Sequence, residues 1–384
     1  MQFPKISWRN EARFHLTCYH ATYILFSLRI LFNDFVYVVA NSYIQGDSVN
    51  ITKSSKSSKL ACFLRAACAT GLLASALGVA NAASYPSRPV TIVVPFAAGG
   101  GSDIVARLVA QQLNDEYQQP FIVENKPGGS TQIATRFVIN APADGYTLLL
   151  ASTSVVNNAY LYKNLNYDAA RSLRPVIGLV DVPAFLVAGA NVPAKNVKDF
   201  LAAAGPLSNS NRLSFGSAGT ASTLHLAGEW FNQVAGLKGV HIPYKGSGPA
   251  VVALASGDVD YSFENLAPAQ AQIASQRVRL LAIAGPTRFP TLPDVPTLKD
   301  FGLPATDMAS WFVLMAPAAT PDGVVDQLNA SVNRILSKPK IQKRFLELGL
   351  IPTGGTPQQL ADRMRADSEK WISIIKAGHV TVDQ

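Results

Sequence analysis

The stretch VTIVVPFAAGGGSD, Val90 to Asp103, decides the fold. Val90–Pro95 is apolar and β-branched, the composition of a short strand buried on both faces. Gly99, Gly100 and Gly101 then interrupt it, and Ser102 stands where a helix cap belongs. Ile104, Val105, Leu108, Val109 and Leu113 follow at a helical period. Strand, glycine loop and helix start read as one unit. Outward from it, Phe121–Glu124 reads as a strand, Ser130–Asn140 as a helix, Pro142 to Gly145 as a turn and Tyr146–Ala151 as a strand. Such alternation predicts βαβ units around a mostly parallel sheet.

The same pattern restarts after Val182. The chain is extended through Phe185 to Val187, and Asn196 opens a helix. Strands are expected at Arg212–Gly216, Val240–Tyr244, Val259–Phe263 and Arg279–Ala284, with helices starting near Leu224, Pro249 and Ala267. Trp311–Ala316 can carry the chain back as a strand. Thr320-Pro321 and Thr356-Pro357 each read as a capping threonine with proline at the first helical position. This predicts two α/β lobes, residues 83–186 with 310–384 and residues 187–309, joined by two strands that make a hinge.

Charge and cysteine locate what precedes the fold. The 384 residues hold 33 Lys and Arg against 25 Asp and Glu, a formal net charge of +8. Residues 1–82 contain eight basic and three acidic residues, so +5 lies there and only +3 in the remaining 302. Lys53, Lys56 and Lys59, an apolar run from Ala66 to Val79 and the small-x-small Ala80-Asn81-Ala82 read as a secretory signal, with Ala83 the first mature residue. Residues 1–82 are accordingly expected to be a leader, its reading frame begun too far upstream. Ile24–Val39 is disfavoured as a membrane span because Arg29 and Asp34 would lie near its centre. Cys18, Cys62 and Cys68 all fall in the leader, which leaves the mature chain without disulfides or thiolate chemistry. With 48% hydrophobic and 15% charged residues, the body is neither disordered nor suited to a polyanion, so no nucleic-acid partner is expected.

Two small-residue loops carry the candidate chemistry. Phe96 to Asp103 and Ser217 to Thr223 each join a strand to a helix, and glycine lets backbone approach a ligand at a positive helix end. Taken singly, either loop reads equally well as a tight turn. Neither holds Arg or Lys, so the implied ligand is a small carboxylate or polar molecule held by N–H and hydroxyl groups. Asp103 would compete with that ligand for the helix dipole and is read as a loop organiser. His225, on the first turn of its helix, is read as structural. There is no G-x-S-x-G, G-x-x-x-x-G-K-[ST] or H-E-x-x-H, and Gly246-Ser247-Gly248 lacks elbow spacing. Asp258 and Asp260 fall on one face of their strand and Glu264 is read as lying past its end, so the three are not expected to make a metal cluster. No catalytic residue, metal or cofactor is expected.

Together these motifs resemble the Bug family of receptors for tripartite tricarboxylate transport. The resemblance rests on Tyr85 to Gly100, Asn125-Lys-Pro-Gly-Gly, Asp144-Gly-Tyr-Thr-Leu-Leu, Gly219-Thr220 through His225-Leu226, Pro243-Tyr-Lys-Gly, Trp311-Phe and Thr320-Pro321. It implies an α/β, two-lobed periplasmic binding protein of type II-like, Venus-flytrap form with two hinge strands. It also implies a monomer, exported by a Sec-type route, that presents a small organic acid to membrane permease subunits. Carried over by position, the ligand grip would involve Phe96, Ala97, Gly99 and Gly100 from one lobe and Ser217, Gly219, Thr220 and Thr223 from the other. Ser152, Thr153, Asn157, Glu264 and Asn265 would meet the distal part of the ligand. Ser130 and Thr131 depart from the family's glycines at this point. Capture by closure at micromolar affinity, about −8 kcal/mol, follows. A receptor that signals through a sensor protein, and less readily an α/β enzyme, remain the alternatives.

Overall fold

The computed structural model describes residues 85–377, and residues 82–384 group as one compact unit. The expected leader over 1–82, its cleavage site and its cysteines, and the chain beyond Ala377, lie outside the described residues.

The first sheet begins with the strand, glycine loop and helix start of Val90–Asp103. Strand β1 (Val90–Val94) runs into helix α1 (Gly101–Tyr117), followed by β2 (Phe121–Asn125), α2 (Gln132–Ile139), β3 (Thr147–Ser152), α3 (Ser154–Leu161), the single turn α4 (Ala169–Ser172) and β4 (Leu173–Val182). The second sheet takes over with β5 (Phe185–Ala188), α5 (Val197–Asn209), β6 (Ser214–Ser217), α6 (Thr223–Ala235), β7 (Val240–Pro243), α7 (Ser247–Ser256), β8 (Tyr261–Glu264), α8 (Leu266–Ala274) and β9 (Arg279–Ile283). The chain returns through β10 (Ser310–Pro317), α9 (Asp322–Ser337), α10 (Pro339–Glu347), β11 (Ile351–Gly354) and α11 (Pro357–Ala377). Strand order is β11-β4-β10-β3-β1-β2 in one sheet and β7-β6-β8-β5-β9 in the other.

Period-two alternation sorts each strand between two buried layers. Val90, Ile92 and Val94 pack with Val105, Val109 and Leu113 of α1, whereas Val93 faces the layer of Ala134, Val138 and Trp311. On β5, Leu186 and Ala188 join the core of Phe200, Phe215 and Phe231, while Phe185 and Val187 join Leu254 and Phe289. Each fully buried Val, Leu or Phe contributes about 1.5–3 kcal/mol. That is why these strands are apolar without alternation.

Several expectations are corrected. Neither sheet is mostly parallel: β1 pairs parallel with β2 and β3, and β6 with β7 and β8, but β10 is antiparallel to β3 and β4, and β5 to β8 and β9. Chain that crosses from one body to the other re-enters against the local strand direction. Ser102 does not cap α1; the capping position is Gly100, and no side chain fills it. Ser130 and Thr131 have φ of 50° and 75°, so α2 starts only at Gln132. Thr320 likewise does not cap α9, which Pro321 precedes, whereas Thr356 does cap α11 by accepting from Gln359 N–H at 3.1 Å. Glu264 lies within β8, not past its end. Finally, α11 does not stay with the first sheet. Leu360 packs with Trp311 and Val313, but Trp371 and Ile375 lie in the core of Phe200 and Phe231. One 21-residue helix is long enough to reach both.

Candidate functional site

Where the two bodies meet, loops from both sheets touch. Ala97 N–H donates to Lys245 C=O at 2.8 Å, and the hydroxyls of Thr153 and Thr223 are in direct contact. The glycine loop after β1 faces a second glycine loop, Gly246 to Gly248, at the start of α7. A Cβ on Gly248 would stand 3.4 Å from Ala98 O and 3.4 Å from the Gly99 carbonyl carbon. The Gly-Ser-Gly stretch set aside as a nucleophile elbow is thus the counterpart of Gly99–Gly101.

A cavity of about 30 Å³ lies between them, room for about one water. Phe96, Gly100, Gly101, Ser102, Ser152, Ser154, Ser222, Thr223, Ser247, Asn265 and Ser310 line it, and no lining residue is charged. Five helices begin at this wall: α1 at Gly101, α3 at Ser154, α6 at Thr223, α7 at Ser247 and α8 at Leu266. Only α6 carries a side-chain cap, Ser222 Oγ accepting from His225 N–H at 3.2 Å. In α1, α3, α7 and α8 the capping residue's side chain makes no cap bond, although in α3 Ser152 Oγ accepts from Ser154 N–H at 3.4 Å. First-turn N–H groups lack intrahelical partners, and each helix start carries roughly half a positive charge. Convergence of such ends around hydroxyls creates a site for an anion without any cation. A second chamber of about 320 Å³ adjoins it, lined by Phe96, Gly128 to Thr131, Ala218, Gly219, Thr220, Ser222, Tyr244 and Lys245.

The candidate residues therefore divide by position. Phe96, Gly100, Ser152, Thr223 and Asn265 line the small cavity, and Gly219 and Thr220 the larger chamber. Ala97 and Gly99 line neither, and their amides donate to Lys245 C=O and to Asp103 Oδ2 at 3.0 Å. Ser217 sits behind its loop, bonding Gly219 N–H at 3.1 Å and His241 Nε2 at 2.7 Å. Thr153, Asn157 and Glu264 are completely buried behind the lining, the last two with side-chain polar atoms lacking any partner. Ser247, Ser310, Ser222 and Lys245 were not singled out by sequence. A serine carries no local signal, but Ser247 could have been found from the small-residue loop before α7, the same cue that marked the other two.

Asp103 holds the first loop together. Its carboxylate accepts from Gly99 N–H, Arg107 Nε at 2.9 Å and Asn125 Nδ2 at 3.0 Å. Burial alone would push it up, but the Arg107, Gly99 and Asn125 bonds together hold it below its ordinary value. His225 does the same for the second loop. Its Nδ1 accepts from Ala221 N–H at 3.3 Å, which places the ring proton on Nε2, facing Glu229 Oε1 at 3.4 Å. The ring stacks on His241 with centroids 3.8 Å apart. Burial, with His225 as second cause, drives His241 down to about 3. Asp260, weighed as a metal ligand, instead accepts from Ser214 N–H at 2.8 Å. Among the described residues no group of three His, Cys, Asp or Glu is placed to hold a metal ion, and no helix is long and apolar enough to cross a membrane.

Comparison with known proteins places this geometry. Residues 105–380 match the family described as the tripartite tricarboxylate transporter family receptor. Protein BugT of Bordetella pertussis is 32% identical over 311 residues, 80% of this chain and 95% of its own. Among solved structures, R. palustris Rpa4515 with adipate superposes with a TM-score of 0.74 at 34% identity, covering 77% of this chain and 99% of that one. MatC from Rhodopseudomonas palustris, with bound malate, gives 0.71 at 31% identity over 76% of this chain and 100% of the other.

Proposed function

Because the chain belongs to the tripartite tricarboxylate transporter receptor family, whose fold is a two-lobed periplasmic binding protein, we propose that it captures a small mono- or dicarboxylate between its lobes and delivers it to a membrane permease. The observation that carries this reading is the convergence of five helix starts on an uncharged, hydroxyl-lined cavity. Each uncapped start offers N–H donors at a positive end, so one carboxylate satisfies several of them at once. Gly100 and Thr223 lie on opposite sides of the closure. Both sets of donors therefore reach the ligand only when the lobes meet, and the ligand favours that state by its differential contacts. In this reading Phe96, Gly100, Ser152, Thr223 and Asn265 surround the gripped carboxylate. Gly219 and Thr220 face the remainder of the ligand. Asp103 and His225 fix their loops, and Ala97, Gly99, Ser217 and Thr153 hold the closed framework.

The adjoining chamber, at about 320 Å³, lies at the small end of ligand sites, which favours a short acid. Adipate and malate, bound by two similar proteins, define the first probes. The exported form is expected to begin at Ala83 and to act as a monomer in the periplasm. Calorimetry and thermal shift against adipate, malate and a broad panel of organic acids test the reading. An acid present at a hundred times its Kd should stabilise the fold by about 2.7 kcal/mol. A folded protein that no acid stabilises overturns the proposal.

A further inference from the structure

Among the described residues, Glu264 is the one carboxyl group buried completely beside the cavity. It ends β8 and precedes Asn265, which lines the wall, and it is 0% exposed. Neither of its oxygens finds a partner in good geometry; the nearest polar groups are the hydroxyls of Ser262 and Ser247.

No countercharge faces it from the packed elements. β5, whose Phe185 is its partner in register, reads Phe-Leu-Val-Ala, and β6 reads Ser-Phe-Gly-Ser. Neither α7 (SGPAVVALAS) nor α8 (LAPAQAQIA) holds a charged residue. On α6 the ionisable pair is His225 with Glu229, engaged with each other, and on β8's approach Asp260 is committed to Ser214. From the first lobe the nearest acid on α1, Asp103, is satisfied by Gly99, Arg107 and Asn125. Burial therefore raises Glu264 to about 8, the hydroxyls of Ser262 and Ser247 opposing only in part. An anion in the adjoining cavity adds to that rise.

The first lobe packs onto Glu264's neighbours Asn265 and Ser247. A Cβ on Gly101 would stand 2.9 Å from Asn265 Oδ1, and one on Gly100 3.7 Å from Ser247 N. Those two glycines cover the residues above Glu264, so separating the lobes admits water to it.

We propose that Glu264 takes up one proton from solvent when the lobes close over an anionic ligand, and that it sits in the closed receptor as a neutral carboxylic acid. This rests on the capture-by-closure reading above. The neutral form removes the repulsion a fixed carboxylate would exert on a bound anion and leaves a hydroxyl able to donate to Ser247, Ser262 or the ligand. The closed state carries the raised pKa and the open state the ordinary one near 4.5. Closure is thus favoured at low pH, and affinity falls as pH rises from the ordinary value to about 8, then levels off.

Adipate and malate affinities at pH 6 and pH 7.5, where both acids are ionised, test it. Tenfold per unit of linkage predicts a wild-type loss of roughly twentyfold across that window. Glu264→Gln should change less than about twofold across the same window and bind at pH 7.5 more tightly than wild type does at pH 6, because it has no proton to take up. Independently of the variant, wild-type binding at pH 7, titrated in buffers of different ionisation enthalpy, should take up close to one proton. Binding that is flat with pH and takes up no proton overturns this inference and leaves the receptor reading intact. Failure of a folded protein to bind either acid at either pH overturns both.

Discussion

His241 has a partner on each side: the His225 ring is stacked on it with centroids 3.8 Å apart, and Ser217 Oγ lies 2.7 Å from its Nε2. Burial keeps the ring neutral far below the ordinary histidine value. A base whose folded pKa is depressed stabilises nothing above pH 6.5 and costs stability as pH falls below it, because the unfolded chain takes the proton first. Acidification from pH 6.5 towards 5 should therefore cost up to about 1.4 kcal/mol per pH unit through this residue. His241→Gln should remove that acid-side slope in urea titrations, and an unchanged slope would show that the ring is hydrated. Asp103 is different, since its role is to accept. Asp103→Ala leaves Gly99 N–H and one of the two Asn125 amide hydrogens without an acceptor, the other still donating to Phe96 C=O, and should lower stability by about 1–3 kcal/mol. Asp103→Asn should recover part of that loss.

At the scale of elements, each body presents a glycine loop before a helix, and the two loops pack backbone to backbone. Gly248 has a backbone any residue tolerates, yet its Cβ would already touch Ala98 and Gly99 across the junction. Gly248→Val should leave thermal stability near wild type while lowering acid affinity at least tenfold, since the extra methyls prop the lobes apart; unaltered affinity would mean the loops separate freely. The first of these loops was legible in sequence because VTIVVP and GGGSD state strand and turn in adjacent residues. The second was legible only as small residues. Its importance comes from what it faces, which no local pattern encodes. Similarly β4 was missed over Leu173 to Val180, where Arg174-Pro175 and Gly178 interrupt the strand signal. Helix α3 was missed too, because Ser-Val-Val-Asn-Asn has little helix propensity and is held by Asn158 bonding Ser130 C=O at 2.7 Å. Antiparallel pairing of β5 and β10 depends on where the chain returns. That is a long-range property, invisible to periodicity.

On the scale of the molecule, three segments join the bodies. Two are extended: β4 passes to β5 through Val182–Phe185, and the return lies beside it, with Ala284 N–H bonding Ala184 C=O at 2.9 Å and Met308 N–H bonding Ala284 C=O at 3.1 Å. The third is α11, anchored in the second core by the fully buried Trp371. Closure must bend the two extended joints, while α11 either flexes or rocks with one body. Across the mouth from all three, Thr153 and Thr223 touch through their side-chain oxygens. Cysteines placed there bring two sulfurs within bonding reach only when the lobes are shut, and the native cysteines all precede residue 83. The doubly substituted Thr153→Cys, Thr223→Cys protein, oxidised without ligand, should scatter X-rays as the compact form whether or not adipate is added. It should neither take up nor release the acid until reduced. Oxidised protein that still exchanges adipate at the reduced rate would show that the ligand enters without lobe opening, and capture by closure would fail with it.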